Sequence, residues 1–458
     1  MRAQPEEARP PAPEPLVQRQ GESADLLIRS VHVLDPGTGT DAPHDVEVRG
    51  GVIEQVAESG SLDPSGGAEV IDGDGLHLFP AFFDPHVHLR TPGQEYKEDI
   101  ETGSRAAAAG GYAGILAMAN TVPPVSEPAD IEALRHSAGL EAVIPVGFLG
   151  TLTRGMEGRE LVDMVEMRES GAVGFTDDGL PVADASVLAR ALRYQKMSGG
   201  TIALHEEDPE LSGAGVMNEG VVSTRLGLRG IPSVSESVMI ARDAALAGYE
   251  GGRIQVQHLS AAESVEAVRR AKADGVDIHA EVTPHHLCLT DEAVADLDPS
   301  RHKMNPPLRT EADREALIAA LVDGTIDCIA TDHAPHALQE KEVPFEEAVM
   351  GVTGLETAFA ALYTHLVIPG TVSLELVVEK LGSGGAAFDI DPFRIVAGSR
   401  ANFCLVDLGA TWTVGEEGYE SRSTNSWCAG EELTGRVLTT VANGQVAWRL
   451  RSFSMEVA

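Results

Sequence analysis

The sequence predicts a (β/α)8 barrel of the TIM type, joined to a small β-domain formed by the N- and C-terminal segments. Three observations carry this expectation. Eight short apolar runs each finish at a polar group or turn: His86-Val-His88, Asn120, Gly147-Phe148-Leu149-Gly150, Asp177-Asp178, His205, His258, His285-His286 and Asp332-His333. Helically patterned stretches of roughly 10–20 residues separate most of them, the rhythm of strands alternating with crossover helices. Strand signals punctuated by turns gather at both ends of the chain.

In order along the chain, residues 1–25 are rich in Pro, Glu, Arg and Gln and read as a disordered tail. They lack the apolar core of a secretory signal. Leu26–Asp35 and residues 45–57 alternate apolar and polar side chains, with a turn at Gly50-Gly51, and Glu69-Val70-Ile71 reads as another strand. Residues 78–89 read as the first barrel strand and residues 327–332 as the eighth. Helical patterning then returns over residues 345–365 and 374–381. Strand signals resume at 403–407, 411–414 and 436–448, the last turning at Asn443-Gly444. The expected domains are a tail at 1–25, a β-domain from 26–78 and 388–450, and a barrel over 79–387 inserted between its halves.

The 458 residues suffice for one barrel and one smaller domain. Formal net charge is −37, and only six of the 34 basic residues are lysines. Nucleic acid and anionic membrane surfaces are therefore not expected as partners. No apolar stretch approaches the roughly 20 residues that a bilayer span needs. An anionic small molecule is repelled at long range and needs a local cationic clamp, which screening over roughly 10 Å makes sufficient. Cys288, Cys328, Cys404 and Cys428 show no Cys-x-x-Cys spacing and form no disulfide framework, as expected in a reducing cytoplasm.

The strongest motif is Asp84-Pro-His86-Val-His88-Leu-Arg90. Strand positions two apart face the same side, so His86 and His88 both point into the barrel mouth. A bare His-x-His pair is weak evidence, and a lone His205 or His258 is more often a core histidine. Ending successive strands at one structural level, with Asp332 at the eighth, these residues are poorly explained as packing. Imidazole and carboxylate suit zinc, and the lack of a thiolate argues against a closed structural site. Four histidines and two aspartates converging there describe a binuclear metal centre. A second metal needs a bridging anion. No lysine lies between Lys97 and Lys196 to be carboxylated, and Lys196 ends a helical stretch. Asp177 or Asp178 can bridge instead, one of the two being a turn residue before Gly179.

These residues resemble the dihydroorotases of the amidohydrolase superfamily, in the group where aspartate replaces the carboxylated lysine. The matching motifs are Asp84-Pro-His-Val-His-Leu-Arg90, Tyr96-Lys-Glu-Asp99, Gly174-Phe-Thr-Asp-Asp-Gly179, Glu281-Val-Thr-Pro-His-His286, Asn305-Pro-Pro-Leu-Arg309 and Thr331-Asp-His-Ala-Pro-His336. The resemblance implies reversible cyclisation of N-carbamoyl-L-aspartate to L-dihydroorotate in pyrimidine biosynthesis. It implies two zinc ions per chain that activate a hydroxide, with Asp332 as proton shuttle. His86, His88 and Asp332 are then ligands of one metal, His205 and His258 of the other, and Asp178 the bridge. Arg90, Asn120, Asn305 and His336 become substrate contacts, with the backbone at Met350 and Gly351 adding ring contacts. Arg90 offers a planar cationic fork for a carboxylate, and the two Asn amides can each donate and accept. A homodimer and an association with aspartate carbamoyltransferase are compatible with this reading. A hydantoinase or allantoinase is the competing enzyme class, argued against by the missing lysine and by Asn305-Pro-Pro-Leu-Arg309. A non-catalytic scaffold is argued against by the complete ligand set. The chain departs from the family pattern at Ala119 (usually Pro), Glu206 (usually Cys), Gly382-Ser-Gly-Gly-Ala-Ala387 and Asn425-Ser-Trp-Cys428.

Overall fold

The computed structural model describes residues 14–64, 67–295, 299–453 and 456–457. The barrel strands are Phe82–Val87, Tyr112–Ala117, Val146–Phe148, Gly174–Thr176, Thr201–Leu204, Ile254–Val256, Ile278–Val282 and Cys328–Ile329. Parallel ladders join the first three and the last five. Single parallel bridges, Gly150 with Phe175 and Val87 with His333, join the two groups and close the ring. Strands covered on both faces are apolar almost throughout. Accordingly, Phe82–Val87 and Tyr112–Ala117 are buried at every position.

Helices Ile100–Ala109, Pro128–Glu141, Met164–Glu169, Ala185–Ser198, Val234–Glu250, Ala262–Ala273 and Glu311–Asp323 lie between successive barrel strands. Their starts are written locally. Asp99 and Thr310 accept from backbone N–H groups of the first turn, freeing those donors from burial without a partner.

Among the described residues, nine strands form a second sheet drawn from both chain ends. Leu26–Asp35 pairs antiparallel with Thr40–Arg49 and parallel with Glu69–Asp72 and His77–Pro80. Phe403–Thr413 then pairs antiparallel with His77–Pro80 and with Glu432–Ala442. The hairpin turns Gly50-Gly51 and Asn443-Gly444 hold both central residues at positive φ, 54° and 77° in one, 45° and 74° in the other. That geometry matches the right-handed twist of the flanking strands. The two turns also touch: a Cβ on Gly51 would sit 2.6 Å from the Gly444 carbonyl oxygen.

Four expectations need correction. Residues 78–89 are two strands: the Ala81 N–H donates to Asn402 O in the terminal sheet, while the Phe82 N–H donates to Gly111 O in the barrel. An unbroken apolar run carries no mark of that change of sheet. Of residues 345–365, only Ala358–Leu362 is α-helical, followed by a π turn over Tyr363–Val367. Val352 and Thr353 are extended instead and bridge to His333 and Ser426. The segments 403–407 and 411–414 merge into one irregular strand, Phe403–Thr413. Residues 1–13 of the expected tail lie outside the described residues, and the remainder is not free. Val17 exchanges backbone hydrogen bonds with Val146 at 3.0 and 2.9 Å, and Ala24 is buried and bonded to Gly444.

Candidate active site

Five barrel strands deliver six terminal side chains to one buried cluster. His86, His88 and Asp178 offer donor atoms within 4.8 Å of one another, and so do Asp178, His205 and His258. Asp178 is common to both groups. Its Oδ1 lies 3.6 Å from His86 Nε2, 3.6 Å from His205 Nδ1 and 3.8 Å from His258 Nε2, while Oδ2 lies 3.4 Å from His88 Nε2. Asp332 Oδ1 stands 3.1 Å from His88 Nε2 and 3.4 Å from His86 Nε2. Arg90, His258 and Asp332 hold positive φ angles of 56°, 34° and 47°. Each such conformation costs on the order of 1 kcal/mol in an L-residue and persists where a site demands it.

The outward nitrogens of His86, His88 and His205 face fixed partners, which sets the inward ones, whereas the buried His258 Nδ1 has no hydrogen-bond partner. His86 Nδ1 lies 2.6 Å from Glu281 Oε1, so that N–H donates and the Nε2 lone pair faces the cluster. That buried Nε2 has no hydrogen-bond partner. His88 Nδ1 donates likewise to Asn120 Oδ1 at 2.9 Å. His205 Nε2 lies 3.5 Å from Glu207 Oε2. Lone pairs and carboxylates turned towards a shared centre are the donor set of a metal, and the residues fit one.

Electrostatics give the same reading. Burial disfavours charge on His86, yet the Asp332, Glu281 and Asp178 carboxylates overcome it and hold its pKa well above the usual value. His205, also opposed by burial, is raised to about 9 by Asp178 and Glu207. Burial raises Asp178, but His86, His205 and His258 bring it well below the carboxylate range. So many buried carboxylates call for positive charge, which protons or metal cations supply.

Above the cluster lies a pocket of about 300 Å³. Arg90, Asn120, Asn305, His336, Met350 and Gly351, the substrate contacts expected from the sequence, all line it. Arg90 Nη2 lies 3.3 Å from His336 Nε2, and Arg90 Nε donates to Pro335 O. His336 is held neutral, its pKa lowered to about 2 by burial and by Arg90, Lys97 and Lys341. Asn305 donates to Glu207 at 2.6 Å, and its buried Oδ1 has no partner. Gly351 has φ 127°, and a Cβ there would sit 2.9 Å from His336 Nε2, so only glycine serves.

The strand ends divide in their roles. Asp177 turns away from the cluster and accepts from Leu152 N, Thr153 N and Thr153 Oγ1, anchoring the loop after the third strand. His286 is spent on Thr283 and Pro306, and His333 Nε2 on Glu98. The seventh strand serves the site through Glu281, whose carboxylate also accepts from Gln255 and His258 N. Sequence reasoning quoted Glu281 in a motif but gave it no role, and it passed over Glu207. Glu207 stands two residues after His205, next to the unusual Glu206, whose pKa burial and the carboxylate of Asp243 push well above the usual carboxylate range. Asn425, a departure from the family pattern, pins the pocket loop: it accepts from His336 N at 3.0 Å and donates to Ala334 O and Gly351 O at 3.2 Å each.

Known proteins align with this architecture. The family model described as "Dihydro-orotase-like" matches residues 75–264. A dihydroorotase of Trichlorobacter lovleyi is 42% identical over 424 residues, covering 92% of this chain and 99% of that one. One from Geobacter sp. strain M21 is 43% identical over 425 residues, covering 93% and 99%. Among solved structures, the L-hydantoinase (dihydropyrimidinase) of Arthrobacter aurescens superposes with a TM-score of 0.82 at 23% identity, covering 95% and 98% of the two chains. The dihydropyrimidinase of Brevibacillus agri NCHU1002 gives 0.79 at 22% identity, covering 94% and 96%. At that identity the structural likeness speaks for the fold, a TIM barrel with an attached β-domain. No helix among the described residues is long and apolar enough to cross a membrane. The identity to full-length relatives, together with the buried histidine–aspartate cluster, shows that the chain belongs to the dihydroorotase family.

Proposed function

We propose that the chain interconverts N-carbamoyl-L-aspartate and L-dihydroorotate, using two zinc ions. The observation that carries this is Asp178 shared between two three-residue donor groups, directly beneath a pocket with a cationic rim. His86, His88 and Asp332 would hold one ion, His205 and His258 the other, and Asp178 both. Bound there, the ions would lower the pKa of a shared water and polarise the ring carbonyl.

The protein's own groups do the rest. Arg90 takes the substrate carboxylate as a planar two-donor fork, with His336 beside it. Asn120 and Asn305 line the same pocket and offer amides to the ring. Asp332 faces the same space and remains ionised, its pKa lowered by His86 and His88 against the effect of burial. An ionised carboxylate is a competent base: in hydrolysis it accepts the proton released as water attacks the carbonyl, then delivers it to the departing ring nitrogen. In synthesis the same steps reverse.

Rings without a carboxylate would leave the Arg90 guanidinium unpaired, which disfavours a hydantoinase-type substrate. Comparing turnover of L-dihydroorotate, dihydrouracil, hydantoin and allantoin by zinc-loaded protein tests the assignment. Dihydroorotate is expected to be strongly preferred, and preference for an uncharged ring would reject it.

A further inference from the structure

Lysine is scarce in this chain, and one of its six lysines is buried behind the pocket. Lys97 is 5% exposed and its ammonium lies 3.4 Å from His336 Nδ1. Glu340 holds it from the other side, 2.9 Å away, and Tyr96 places its ring 5.6 Å below. Glu340 is itself fixed by the Ala337 N–H at 2.9 Å and by Tyr96 OH. The ammonium is therefore locked in place and aimed at one ring nitrogen.

We propose that Lys97 is a positioning residue that fixes the tautomer of His336, leaving Nε2–H to donate to the substrate carboxylate held by Arg90. An ammonium has donors only, so Nδ1 must accept from it. A neutral imidazole carries one proton, which then resides on Nε2. That N–H faces Arg90 Nη2 at 3.3 Å, another group with donors only. Two donors face each other across this gap. An anion entering between them accepts from both and removes the mismatch. Lys97 thus makes an otherwise ambivalent histidine into a donor of fixed direction. This inference rests on the proposed function only for the identity of the anion.

Nitrogen-15 NMR of zinc-loaded protein labelled at its histidine rings tests it, with the His336 signals assigned by their loss in His336→Gln. The expected spectrum has a pyridine-type Nδ1 and a pyrrole-type Nε2 for His336. Lys97→Met should give a mixed or reversed pattern and raise KM for L-dihydroorotate about tenfold while changing kcat much less. Lys97→Arg, which keeps a donor, should restore much of the loss. A protonated Nδ1 in the parent protein, or an unchanged KM and spectrum in Lys97→Met, would overturn the proposal. If Lys97→Met does not fold, the parent spectrum alone decides. Because that spectrum needs no substrate, failure to turn over dihydroorotate rejects the proposed function, whereas the wrong tautomer rejects only the role of Lys97.

Discussion

Asn120 joins the two halves of the site. Its amide donates to Asp178 Oδ2 at 3.1 Å, while its own oxygen accepts from His88 Nδ1 at 2.9 Å. A residue expected only as a substrate contact therefore also orients a histidine and the shared carboxylate. Groups of this kind typically contribute 10–100-fold to metal affinity. Asn120→Ala should weaken zinc binding by about that factor in a chelator competition, besides raising KM. Unaltered zinc affinity would confine Asn120 to the substrate.

Asp177 and Asp178 are neighbours with separable roles. Asp178→Ala should lose bound metal and activity together. Asp177→Ala removes the acceptor for two backbone N–H groups and a threonine hydroxyl, so it should lower thermal stability while leaving zinc stoichiometry near that of the parent. Metal analysis beside a melting curve for each variant distinguishes them. Loss of metal from the Asp177 variant with retention in the Asp178 variant would reverse the assignment.

Asp332→Asn keeps the shape of the side chain and an oxygen that can ligate, but it removes the base. With zinc retained, kcat should fall at least about a hundredfold, in line with what a positioned acid–base group contributes. Turnover near that of the parent enzyme would move proton transfer to another residue.

Glu356 makes a prediction away from the chemistry. Its carboxylate accepts from Glu420 N and Ser421 N, yet burial pushes its pKa up to about 7, helped by the nearby Glu420 and Glu98 charges. The folded value lies above the unfolded one. The folded state therefore binds the proton more tightly, and stability contributed by the protonated form is complete below about pH 4.5 and lost as pH rises towards 7. Glu356→Gln stays neutral throughout. The melting temperature of that variant minus the parent's should increase between about pH 5 and pH 7.5, and a flat difference would contradict the shift.

Much of the site is legible in the sequence because barrel geometry is periodic. A polar residue at the end of an apolar strand must arrive at the mouth, which is how His86, His88, His205, His258 and Asp332 come together. Asp178 was separable from Asp177 only by family resemblance, since both end the same strand. The structure gives the physical difference: one faces the histidines, the other is consumed by a loop. What was not legible is long-range partnership. Glu281 reaches His86 across 195 residues of chain, and Asn425 fixes a loop 89 residues away. The change of sheet at Ala81 and the extended path through Val352 are likewise tertiary outcomes, settled by the pairing available at Asn402, Gly111, His333 and Ser426.

The central claim is that these residues perform a reversible ring closure on a dicarboxylate. Carbamoyl aspartate carries two carboxylates and dihydroorotate one, so closure consumes a proton and the equilibrium ratio should change about tenfold per pH unit. The direct measurement incubates zinc-loaded protein with each compound separately at several pH values until composition is constant. Both starting points should reach the same ratio at each pH, with dihydroorotate favoured in acid and carbamoyl aspartate in base. If neither compound is converted at any pH with zinc bound, the account fails and the chain is a scaffold that retains the ligands without the reaction.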